Sequence, residues 1–436
     1  MAFWDERAGA ADNLRLYAPG EGWKAYADQQ DADGKTRAVG SRRHVESALL
    51  NALNANNLVV LTGTGSSFAA KNPAAEPDED LEMLGIDPPL PLTPAGMWDV
   101  WVAVREKVGP AVFGAVCASF PQAPINDNIE RLLTLCKLHL ELHETATDEA
   151  TERIRRFVGD AEQAILARVD FVSRSTLLEA HTSFIQKIGR RGVRKPRTKL
   201  FTTNYDLCFE EAARRLKFTI VDGFSHALDQ VYDRSFFDFD IVRREAGNDT
   251  PDYIENVFQL YKLHGSIDWR RVDGEIRRSR GDEGAPVLIY PRSSKYQEAF
   301  EAPYLDMIGA MQTALREPDT AVIISGFGFN DDHLSRPILS AIESNLSIRL
   351  VVCDPAFIPG ASLDGAEHTV EGVPPPTNKF LNAFYQLVDR GDPRVHLING
   401  RFEDLAFALP DLVGETDRER HMNRVRALRD GAGEAP

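Results

Sequence analysis

Five short apolar runs, each breaking into glycine or small polar residues, constrain this chain more than any other feature. They read "LVVLTGTGSS" from Leu58, "LFTTNYD" from Leu200, "YKLHGS" from Tyr261, "AVIISGFGFNDD" from Ala321 and "RLVVCDP" from Arg349. A continuous apolar run of this length marks a strand buried on both faces, which belongs in a parallel sheet covered by helices. Helical spacing recurs between them, in "RRHVESALLNALNANN", "YDLCFEEAARRLK", "PILSAIESNL" and "NKFLNAFYQLV", and "FTIVD" and "RVHLING" add further strands. The expected fold class is α/β, a doubly wound, Rossmann-like, largely parallel sheet.

The 436 residues are enough for one large domain with elaborations or for two or three smaller ones. The pattern divides them into an irregular N-terminal arm over 1–41, a main domain over 42–410 and a tail over 411–436. Within the main domain, helical periodicity from about Ala95 to Arg191 predicts a helical insertion. The Pro-rich, acidic stretch from Lys71 to Pro94 reads as an exposed loop. Asp273-Gly274 reads as a two-residue hairpin turn.

A formal net charge of −16 argues against a general nucleic-acid surface, since phosphate binding needs clustered Lys and Arg. The one basic stretch, "KIGRRGVRKPRTK" from Lys187, reads as a solvated helix end and loop. No apolar run reaches the roughly 18 residues of a membrane span, and the start lacks a signal peptide's basic head and apolar stretch, so a cytoplasmic protein is expected. The four cysteines, Cys117, Cys136, Cys208 and Cys353, are far apart in apolar contexts and read as buried thiols rather than disulfides or metal ligands.

In open α/β sheets ligands settle at the carboxyl ends of strands, where helix N-termini and free backbone N–H groups converge. Every polar cluster named above falls at such an end. Gly63-Thr64-Gly65 is either a tight turn or a phosphate loop, and the third glycine of the dinucleotide fingerprint is replaced by Phe68. Ser66 and Ser67 offer phosphate donors. Asn204 reads as a helix cap or a functional amide, Asp206 as a first-turn acid or a functional carboxylate, His264 as a turn residue or a proton acceptor. Asp354 ends a strand and reads either as an ordinary strand-end acid or as an acceptor for a ribose, as acidic residues are in other dinucleotide sites. Asp331, Asp332 and His333 carry good metal ligands, but adjacent residues at a helix start point apart, so a cap at Asn330 or an Asp is the expectation and no metal site is assigned. His181 reads as a core or interface residue, and Tyr205 as packing.

In their order, Gly-Xaa-Gly-Ser-Ser, Thr-Asn-Xaa-Asp, His-Gly and a Gly-rich strand end, these strings resemble the sirtuin family, and most of all its bacterial sirtuin-like branch, over roughly residues 42–400. The resemblance implies an NAD-binding domain with NAD as substrate. Gly63, Thr64, Gly65, Ser66, Ser67 and Thr203 would serve the cofactor-binding loop, Asn204 and Asp206 would face the nicotinamide ribose, and His264 would be the catalytic base. Ser325, Gly326 and Asp354 would meet the adenosine half. The zinc ribbon of deacetylating sirtuins has no counterpart, because the chain contains no Cys-Xaa-Xaa-Cys pair and "IDWRRVDGEIRRSRGDE" occupies that place. The resemblance therefore points to NAD hydrolysis, as in effectors of anti-phage defence, with a ring-like homo-oligomer and a HerA-type hexameric ATPase as implied partners. A protein deacylase or ADP-ribosyltransferase, and a non-catalytic NAD-binding subunit, are the alternatives.

Overall fold

The computed structural model describes residues 11–73, 92–123, 125–244, 252–281, 284–288, 302–358 and 368–412. Most of the expected acidic loop, the first ten residues of the arm and nearly all of the tail lie outside them.

The frame is a ten-stranded sheet. Its strands are β1 (Arg15–Ala18), β2 (Gly22–Ala25), β3 (Asn57–Thr62), β4 (Lys199–Thr202), β5 (Thr219–Val221), β6 (Val257–Lys262), β10 (Thr320–Ser325), β11 (Arg349–Cys353), β12 (Thr369–Val370) and β13 (Val395–Asn399). They run β12-β2-β1-β13-β11-β10-β3-β4-β6-β5 across the sheet. From β13 to β5 every pairing is parallel, whereas β1, β2 and β12 are joined antiparallel. The fold is therefore α/β with a large, mostly parallel sheet.

Alternate residues of the central strands feed opposite cores, as the strand period of two demands. Leu58 and Val60, Ile323 and Val351 face α1 (Arg42–Asn54), α6 (Glu179–Gly189), α7 (Cys208–Leu216) and α11 (Phe402–Ala408). Val59 and Leu61, Val322 and Ile324 face α8 (Tyr304–Arg316), α9 (Asp332–Ser344) and α10 (Lys379–Asp389). Between β3 and β4 the chain makes α2 (Met97–Val108), α3 (Pro110–Ala118), α4 (Ile129–Leu142) and α5 (Glu149–Val169), which close over a third core around Trp101, Phe113, Leu133 and Phe157.

Three local readings change. The lead-in is not irregular throughout: β1 and β2 extend the sheet, and Leu14 and Trp23 are buried. Its short alternating strands carry too little periodicity to stand out from the Gly and Asp around them. The basic stretch is not simply solvated. Arg191 is buried and donates to the carbonyls of Leu53, Ala55 and Asn56, ending α1 where free carbonyls and the helix dipole favour a cation. "PVLIYP", from Pro286, reads by sequence as one more strand of the series, but the residues of it that are described join a separate three-stranded sheet. Its described part, β9 (Ala285–Leu288), pairs with β7 (Gly265–Val272), which also pairs with β8 (Glu275–Arg278). The β7–β8 turn is Asp273-Gly274, both at positive φ as a type I′ hairpin requires.

Candidate functional site

The carboxyl ends of β3, β4, β6, β10 and β11 open into one cavity of about 1070 Å³. Lining it are Gly63, Thr64, Gly65, Ser67, Thr203, Asn204, Asp206, His264, Gly326 and Asp354. Ser66 and Ser325 lie beneath its surface, fully buried. α2, α4 with its Asn128 cap, and α5 form a second wall with Met97, Val100, Asn128, Glu130, Arg131 and Ile165, the loop after β10 adds Asn330 and Asp331, and the first turn of α9 adds His333.

The glycine loops explain how the strand ends come so close. A Cβ on Gly65 would stand 2.6 Å from the Gly326 Cα, and Gly326 itself has φ +70°. The Gly65 N–H donates to the Gly326 carbonyl at 2.9 Å, so the β3 and β10 loops touch backbone to backbone. Gly65 is thus required by packing, whatever else it binds.

Asn204 follows β4, and its Nδ2 donates to Ser66 Oγ at 3.0 Å and Ser67 Oγ at 2.8 Å. Ser67 Oγ donates in turn to Asp206 Oδ2 at 2.5 Å, while Asp206 Oδ1 accepts from the Cys208 N–H at 3.0 Å. This chain of bonds fixes the amide's orientation and occupies both oxygens of Asp206, and it ties the two serine hydroxyls to Asn204 and Asp206. Asn204 Oδ1 is buried with no hydrogen-bond partner in the protein. A buried amide oxygen left so costs roughly 1–3 kcal/mol, which a bound hydroxyl or water would recover.

His264 follows β6, and Gly265 behind it has φ +88°, where an added Cβ would strike the Val287 carbonyl of β9. The ring is almost fully buried and its Nε2 has no hydrogen-bond partner. Burial, and secondarily neighbouring His333, push its pKa down to about 3, so the imidazole is neutral at physiological pH. The two rings stack at 5.9 Å. His264 thus presents an unprotonated ring in the same cavity as the free oxygen of Asn204.

Asp354 caps the 3₁₀ turn Pro355–Phe357 through the Ala356 N–H at 2.7 Å, and burial raises its pKa to about 6. Ser325 Oγ is buried without a hydrogen-bond partner. Asp331 stands at the N-cap position of α9, but its side chain makes no capping bond and lines the cavity instead. Burial, then Asp332, raises its pKa to about 6. Among the described residues no group of three or more His, Cys, Asp or Glu side chains is placed to hold a metal ion. His181 is a core residue packed on Phe209 and Phe402, its pKa lowered to about 4 by burial. Tyr205 packs against the core of the inserted helices.

Sequence reasoning missed the inserted wall. Glu130 follows the Asn128 cap of α4, where an acid ordinarily complements the helix dipole. Burial, then Asp331, pushes its pKa up to about 8. Nothing in "NDNIERLL" distinguishes it from any other first-turn acid.

Residues 198–354 match the SIR2-like domain. The SIR2-like segment runs from the start of β4 past the end of β11, so it holds Asn204, Asp206, His264, Gly326 and Asp354, while the Gly63–Ser67 loop precedes it. No curated protein matches the chain. Among solved structures, a Sir2 homologue, described as a serine-to-alanine mutant in complex with ADP-ribose, aligns at 14% identity over 84% of this chain and 98% of that one. The TM-score is 0.28, too loose a superposition to equate positions between the two chains. No described helix is long and apolar enough to cross a membrane.

Proposed function

We propose that this chain is an NAD glycohydrolase, cleaving the nicotinamide–ribose bond of NAD with water to give nicotinamide, ADP-ribose and a proton. One observation carries the reading: within the SIR2-like segment, two buried and unpartnered atoms, Asn204 Oδ1 and His264 Nε2, belong to one cavity at adjacent strand ends. The bond breaks through an oxocarbenium-like state, which needs a held ribose and a positioned nucleophile rather than a strong acid, because nicotinamide leaves as a neutral molecule. Asn204 Oδ1 accepts a hydrogen bond from a ribose hydroxyl or the attacking water. Neutral His264 takes the proton that this water or hydroxyl releases. Asp206, with both oxygens engaged by the protein, acts through Ser67 and Asn204 and is a positioning residue in this scheme. Gly63, Gly65, Gly326 and Asp354 line the same cavity, and the family resemblance is what assigns them, with Ser325, to the pyrophosphate and adenosine.

The test is the purified chain with NAD and no peptide, following nicotinamide and ADP-ribose. Stoichiometric release of both, lost in His264→Gln, supports hydrolysis. Release of nicotinamide only when a protein acceptor is added would replace it with acyl or ADP-ribosyl transfer. The wider role, NAD depletion in anti-phage defence by a ring-like homo-oligomer paired with a HerA-type ATPase, rests on the resemblance of the motif strings. Co-elution of the two proteins as one large particle, and NAD loss in infected cells, would test it.

A further inference from the structure

Lys262 is the last residue of β6, two positions before His264, and its side chain is 3% exposed. The proposed chemistry gives this buried cation no part. Its Nζ donates to the Tyr205 carbonyl at 3.3 Å, to the Asp206 carbonyl and to Glu210 Oε1 at 3.1 Å. The same Tyr205 carbonyl accepts from the Ile267 N–H at 3.1 Å and Ser266 Oγ at 3.4 Å. The turn that displays Asn204 is thus gripped, on its backbone, by the end of β6 and the start of β7, on either side of His264.

A buried ammonium persists only when its desolvation is met by partners, and here most of those partners are carbonyls of a single turn. We propose that Lys262 is a positioning residue: an ionic clamp that fixes the Asn204–Asp206 turn against β6 and so sets the amide relative to the imidazole. The role rests on the NAD-cleavage reading for its kinetic consequence, but the clamp itself is a property of the fold. Glu210, on α7, supplies the countercharge, and its own carboxyl is shifted upward by burial.

Lys262→Met alone leaves the partly buried Glu210 without its countercharge, so the informative protein is Lys262→Met/Glu210→Gln, with Glu210→Gln as companion. If Lys262 merely neutralises Glu210, the double variant recovers both stability and turnover. If it clamps the turn, the double variant melts near wild type while kcat falls about 30-fold or more with KM within a few-fold, and Glu210→Gln alone loses little. Hydrogen exchange reads the clamp without turnover: amides in a peptide spanning residues 203–208 exchange about tenfold faster in the double variant, with the central strands unchanged. Unchanged exchange there overturns the clamp whatever the kinetics, and wild-type turnover in a protein whose turn has loosened overturns its positioning role. A wild-type chain that leaves NAD intact defeats the hydrolase reading, and exchange then decides the clamp alone.

Discussion

The cavity has two walls of different making. The strand-end wall is built from loops pressed backbone to backbone, with Asn204, Ser67, Asp206 and Lys262 joined in one hydrogen-bonded unit. The inserted wall is a face of amphipathic helices with their own core, whose cavity-facing residues, Glu130 among them, hang from a separate packing unit. The first wall resembles a preorganised reaction site, which gains from rigidity. The second borders the same cavity from a separate core. The contrast teaches that a helical face can line a cavity from its own packing unit, whereas the strand-end loops meet so closely that Gly65 and Gly326 leave no room for a side chain.

If that division is right, damage to the strand-end wall lowers turnover far more than damage to the inserted wall. His264→Gln should reduce kcat by about 10²–10⁴-fold, the usual contribution of a general base, with the thermal midpoint at pH 7.5 little changed. Nicotinamide release measures it, and a loss below about tenfold would remove His264 from the chemistry. Glu130→Gln should cost much less, roughly three- to tenfold and mainly in KM; a loss as large as that of His264→Gln would dissolve the distinction between the walls.

Stability sharpens the same comparison. Gly65→Ala should destabilise by about 1–3 kcal/mol, because the new methyl has no room against Gly326 and must push the loops apart. Denaturant midpoints of this variant and of Gly159→Ala, where an added Cβ meets nothing, give the contrast.

The pH dependence of stability gives a further contrast between the walls. Lowered to about 3 when folded, from 6.5 for a free imidazole, His264 takes up its proton only in the unfolded chain between those values. The unfolded state then binds more protons, so stability falls as pH drops below about 6.5, and His264→Gln should flatten that decline. Glu130 is the opposite case, raised from 4.5 to about 8, so its contribution is present below about pH 4.5 and lost as pH rises towards 8. Glu130→Gln should therefore gain melting temperature relative to wild type at pH 8.5 and not at pH 4. No pH dependence in the difference between either variant and wild type would mean that these groups are solvated rather than buried.

Much of the strand-end wall was legible because buried parallel strands and their glycine breaks write themselves as contiguous strings. Gly63, Asn204, His264 and Asp354 could be placed at strand ends from local pattern alone. The occupancy of Asp206 by Ser67 and the Cys208 N–H was not legible, since a first-turn acid and a site carboxylate have the same sequence signature. Lys262 was hidden for a related reason: a lysine at the end of a strand is ordinarily solvated, and only the approach of a turn some 57 residues earlier makes it a buried clamp.

Short apolar runs alternating with helical spacing by themselves determined that this chain would build a helix-covered, largely parallel sheet with its polar clusters at the carboxyl ends of the strands, because a strand buried on both faces is apolar throughout and a covering helix is apolar every 3.6 residues. Only the tertiary structure decided that β1 and β2 extend that sheet, that Arg191 caps α1 and that the inserted helices close the cavity with Glu130. These are contacts between segments far apart in the chain, and no local spacing encodes which carbonyl a distant cation will meet.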